Sequence, residues 1–187
     1  MAIILITSFL LGVAMKIADL LDEHQLQLFK GANLLFGITW GILGVLLIKS
    51  NNLTANMYVG LLMSYVLRGK IDYLNHGIAA TIIIFTFIYL LNGQHLDIQW
   101  PTLLFFFFAL SVSGIVHDFL THNIKKQNVS VEMVHTLISY IGVPLLYSIY
   151  TCQTIFFYSF LLFGIAYEIT RTCGSYFIAR QKQEDKQ

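Results

Sequence analysis

The sequence predicts an all-α fold, a polytopic bundle of transmembrane helices, on three observations. Hydrophobic residues make up 57% of the 187 positions and charged residues only 11%, whereas a soluble domain carries about 25% charged side chains to cover its surface. Mean hydropathy is +0.71, and the deficit of charge runs along the whole chain. The apolar residues also gather into segments close to the ~20 residues that cross about 30 Å of hydrocarbon as a helix. One transmembrane domain over residues 1–178 and a polar tail over 179–187 follow.

The first span, residues 2–21, lacks the basic leader of a signal peptide and runs on into Lys16 and Asp19, so it is read as retained. The second, 31–48, carries Gly37, Gly41 and Gly44, which let backbones approach closely. The third, 55–67, is short and ends at Arg68-Gly69-Lys70. Counted as a tilted or half-length helix it makes seven spans; left out, it makes six. Residues 73–91, 101–120, 134–150 and 155–177 supply the others, the fifth containing the lipid-compatible run Phe105 to Phe108.

Alternating these spans across a bilayer sorts the charges. Lys30, Arg68, Lys70, Lys125, Lys126, Arg180, Lys182 and Lys186 fall on one side and Lys49 on the other. Short loops rich in Lys and Arg stay in the cytoplasm, which puts the N-terminus outside and the C-terminus inside a cell (inner) membrane. Tyr58, Tyr89, Trp100, Tyr147 and Tyr150 fall near the outer boundary, as an aromatic belt. A net charge of +1 without a basic run gives nucleic acid nothing to bind.

The acids and histidines collect on the inner side. Helical spacing stacks Asp19 with Lys16, Asp22 and Glu23, and Asp72 with Asn75 and His76. His117, Asp118 and His122 close the fifth span. Glu132 and His135 open the sixth, and Glu168 and Arg171 share a face of the seventh. A charge at the bilayer centre costs at least about 2.5–3.5 kcal/mol, so such residues face an interior or a watery cavity.

These residue types suit a metal-assisted enzyme acting on a membrane lipid, one bearing phosphate, from the cytoplasmic side. Asp19, Asp22, Asp72, Asp118 and His122 are the expected ligands of a divalent metal, Mg²⁺ or Zn²⁺. His76, His117 and Glu168 are the expected acid–base residues, with Arg68, Lys70, Asn75 and Arg171 holding the headgroup. A Zn²⁺ hydrolase built on His76, His117 and Asp118 is one form of this. No Gly-x-Ser-x-Gly, His-Glu-x-x-His or glycine-rich phosphate loop is present. The rival classes are a proton- or ion-coupled transporter, to which intramembrane acids and a broken helix also point, and a non-catalytic scaffold whose charges serve topology.

Overall fold

The computed structural model describes residues 1–23, 26, 28–123 and 134–184, with the backbone alone for His122, Asn123, Lys182 and Glu184. Among the described residues the regular structure is all helical. The helices are α1 (Ala2–Asp22), α2 (Ala32–Ser50), α3 (Asn52–Leu67), α4 (Leu74–Asn92), α5 (Trp100–Asn123), α6 (residues 134–151) and α7 (Ile155–Glu184). Each lies on one of the seven predicted segments. Among the described residues four stretches are long and apolar enough to cross a membrane: α1, α2, α4 and residues Trp100–Thr121 of α5.

Local chemistry sets the helix ends that matter. Asn51 caps α3, its side chain accepting from the backbone N–H of Thr54 at 2.8 Å. At the other end Gly69 takes φ +66°, and Lys70 N–H returns to Tyr65 O at 2.9 Å while Gly69 N–H returns to Val66 O at 3.1 Å. This is a Schellman cap, which turns the chain sharply with a left-handed residue just past the last turn. Arg68-Gly69-Lys70 is therefore the end of α3, a complete 16-residue helix, and the turn throws both cations back over the bundle. In α6, residues Ile138–Gly142 form a π-turn, with Val143 N–H bonded to Ile138 O. Pro144 accounts for it: a proline has no N–H to give Tyr140 O, and its ring collides with the carbonyl four residues back.

The helices close into a ring. α1 packs on α7 and α2, α2 on α3, α3 on α5, α5 on α6, and α6 on α7, while α4 lies outside against α2 and α3. Glycines on α2 bring α4 in: a Cβ at Gly37 would stand 2.8 Å from the backbone of Asn75, and Gly41 and Gly44 meet Ile82 and Ile83. Aromatic rings fill the middle, with Phe106, Phe156, Phe160 and Phe163 wholly buried. Phe108, Phe85, Phe119, Leu146 and Ile149 are more than half exposed and form the outer surface. The Phe105–Phe108 run is thus split between core and periphery.

The expected aromatic belt divides in the same way. Tyr89, Trp100 and Tyr150 stand 72%, 58% and 82% exposed, whereas Tyr58 and Tyr147 are core residues. The Tyr58 hydroxyl donates to Ser8 at 2.8 Å, and Ser8 and Ser159 share a hydrogen bond of 2.6 Å, tying α1, α3 and α7. Tyr147 meets Thr102 at 2.8 Å, joining α6 to α5. A phenol buried among rings needs such a partner, which a place at an interface would have supplied from water.

Candidate functional site

At the end of the bundle where α3 stops and α4 begins, the ring of helices opens around a cavity of about 560 Å³. Side chains from all seven helices line it, and the charged ones fall into three groups.

Asp19 of α1 holds the first. Its Oδ2 accepts from the Tyr167 hydroxyl of α7 at 2.8 Å and from Lys16 Nζ at 3.4 Å, and its Oδ1 lies 3.1 Å from His76 Nε2 of α4. Lys16 also donates to Tyr167 Oη at 3.2 Å and sits over that ring. The other nitrogen of His76 lies 3.1 Å from Lys70 O. A carbonyl only accepts, so Nδ1 carries a proton, and Nε2 and Asp19 Oδ1 share one more between them. Trp40 and Tyr73 stand edge-on to the imidazole, with ring centroids 5.4 and 5.7 Å away. The pair is oriented from every side.

Asp118 of α5 holds the second group, facing Lys70 Nζ at 3.1 Å, Arg68 Nη1 at 3.6 Å and His117 Nδ1 at 3.6 Å. His117 lies against His135 of α6, with ring centroids 4.2 Å apart. Glu168 of α7 holds the third, accepting from Thr136 at 2.7 Å and pairing with Arg171 at 2.6 Å. At the rim, partial loss of water and then repulsion from Asp19 raise the carboxyl of Glu23 above its ordinary value.

The sequence-predicted residues divide accordingly. Asp19, Arg68, Lys70, His76, His117, Asp118, Glu168 and Arg171 all line this one cavity. Asp72 is half exposed outside it, 3.6 Å from His76 Nδ1. Asp22 accepts from Asn33 at 3.4 Å, fastening α1 to the start of α2. Asn75 is fully packed, donating to Ala18 O at 3.0 Å and accepting from His76 N–H at 2.6 Å. It aligns the first turn of α4 rather than meeting a ligand. The side chain of His122 lies outside the described residues, as do His24, Lys125, Lys126 and Glu132.

Sequence reasoning missed three tyrosines and one glycine. Tyr167 clamps Asp19, and Tyr65 and Tyr140 join their hydroxyls at 3.2 Å in the cavity wall. Gly114 lies one turn before Asp118 on α5. Helical spacing held two usable signals: Tyr65 is three residues before Arg68, and Gly114 four before Asp118.

The carboxylates are matched to cations and hydroxyls. Both oxygens of Asp19, Asp118 and Glu168 face N–H or O–H donors, and both nitrogens of His76 are engaged. Among the described residues no group of three or more His, Cys, Asp or Glu is arranged to hold a metal ion. Protein-family models, characterised proteins and solved structures give no match to the chain, so the site is read from its own chemistry.

Proposed function

We propose that the chain is an integral membrane enzyme whose cavity receives the polar head of a phosphate-bearing lipid and transfers or hydrolyses it by acid–base chemistry. All seven helices span the bilayer in this reading. The cavity opens to the cytoplasm, because the excess of Lys and Arg lies at its end of the bundle. The observation that carries the proposal is the convergence of Lys16, Arg68, Lys70 and Arg171 with a proton-sharing Asp19–His76 pair on one cavity. Cations at a cavity mouth suit an anionic headgroup, whose tails stay in the lipid.

Asp19 is the group that would exchange a proton with the substrate, and it lines the cavity. His76 acts through it as a positioning residue, fixed by Lys70 O and supplying or withdrawing the shared proton.

The test incubates protein in mixed micelles with a panel of phosphate-bearing lipids and follows headgroup loss or transfer by mass spectrometry. Asp19→Asn should lower turnover by about 10²–10⁴-fold, the usual contribution of a positioned acid–base group. Lys49→Gln, at the opposite end, should leave it unchanged, and so should a chelator. Absence of conversion across the panel counts against an enzyme, and loss of turnover on chelation restores the metal-assisted form.

A further inference from the structure

Arg68 leaves the C-cap of α3 and buries its side chain, which is 7% exposed. One side of the guanidinium meets the Tyr65 ring, whose centroid is 5.3 Å from Cζ. The guanidinium also meets α5 at Gly114, so closely that a Cβ there would overlap Nη1 and Cζ. Among the described residues the acid it faces is Asp118 at 3.6 Å, beyond hydrogen-bonding distance, and Asp118 has a nearer partner in Lys70 at 3.1 Å. Nε finds no hydrogen-bond partner among the described residues. A guanidinium has five N–H donors in a rigid fork, and leaving buried donors unsatisfied is costly. Here the guanidinium is buried against Tyr65 and Gly114, with its Nε unsatisfied among the described residues.

We infer that Arg68, stacked on Gly114, is the subsite for a phosphoryl group, and that Gly114 is the positioning residue which makes it. This rests on the lipid-headgroup reading and names the part of the site that takes the anion. The Arg68 fork presents two parallel N–H bonds to two phosphoryl oxygens. Lys70 adds a third donor from the turn after α3. Together these cations leave one positive charge beyond what Asp118 neutralises, which an oxyanion completes. Any side chain at 114 lifts the guanidinium off α5 and turns the fork away from Lys70. The shared chemistry is a phosphate group, either the head of a lipid or a free ion.

The experiment follows thermal unfolding of the full chain in a neutral detergent. It compares inorganic phosphate, phosphatidic acid in mixed micelles, and chloride at matched ionic strength, for the parent, Gly114→Ala, Arg68→Lys and Arg68→Ala. The parent should be stabilised by phosphate-bearing probes beyond chloride. Stabilisation by phosphatidic acid alone assigns the lipid, and by inorganic phosphate alone the free ion. Gly114→Ala and Arg68→Lys should each weaken that binding at least tenfold. Without any probe, Gly114→Ala should lower the melting temperature in the parent but raise it in the Arg68→Ala background, where the overlap is gone and alanine is the better helix former.

Binding within twofold of the parent in Gly114→Ala overturns the inference even when Arg68→Lys abolishes binding, and the lipid reading then stands without it. A failure of the probe-free sign reversal also overturns it. A parent that responds to neither phosphate probe overturns both.

Discussion

Replacing Asp19 with asparagine removes the charge at which α1, α4 and α7 meet while keeping the side chain's shape. The pair with Lys16 lies within α1, three residues apart, so it survives in a denatured state whose helices persist. The interhelical part is two contacts, the 2.8 Å bond from Tyr167 and the 3.1 Å contact with His76. Hydrogen bonds to charged groups contribute about 1.5–3 kcal/mol each in soluble proteins. Between membrane helices the average is about 0.6 and the maximum about 1.7 kcal/mol, because the helical reference state finds other partners. Asp19 is 6% exposed, which places both contacts toward the upper end. The amide keeps one acceptor for Tyr167, so the expected loss is about 2 kcal/mol.

Denaturant unfolding in mixed micelles measures it. Trp40, 5.4 Å from the His76 ring, serves as the fluorescent reporter in a Trp100→Phe background. Combined with Tyr167→Phe, the change should be sub-additive by about 1 kcal/mol, since both remove the same bond. A loss below about 0.5 kcal/mol, additive with Tyr167→Phe, would refute the view that this carboxylate joins three helices.

Two further outcomes are expected. Gln94 sits at φ +54° in the cap that ends α4, a conformation that costs an L-residue about 1 kcal/mol, so Gln94→Gly should stabilise by about 0.5–1 kcal/mol in the same unfolding assay. Because the Glu23 carboxyl is raised in the folded protein, the native state holds more protons than the unfolded one above about pH 4.5. That contribution to stability is complete at lower pH and fades as pH rises through the raised value, so Glu23→Gln should gain stability on the parent across that window, read from unfolding midpoints at several pH values.

Membrane character and helix positions were legible because they depend on composition and run length, which need no tertiary information. The gathering of the charged groups was legible from the same patterning: alternating the helices put Asp19, Arg68, His76, Asp118 and Glu168 at one end, and the structure brings them to one cavity. What depth and periodicity leave open is the direction in which a helix face looks. Asn75 has the spacing of a ligand but is turned onto Gly37 and Ala18. Tyr58 and Tyr147 were expected in the aromatic belt, yet face inward to serines and a threonine on neighbouring helices. The break at Arg68-Gly69-Lys70 reads equally as a ruptured span or a helix end until the φ of Gly69 is known.

The Ser8–Ser159 bond has a consequence for the order in which the chain assembles. Its partners stand 151 residues apart, and Tyr58 joins them from α3. Helices delivered one by one from a ribosome would leave Ser8, Lys16 and Asp19 facing incomplete surroundings until α7 arrives. Much of the bundle's polar interior therefore closes last, and a chain stalled before α7 would display unmatched polar groups on α1.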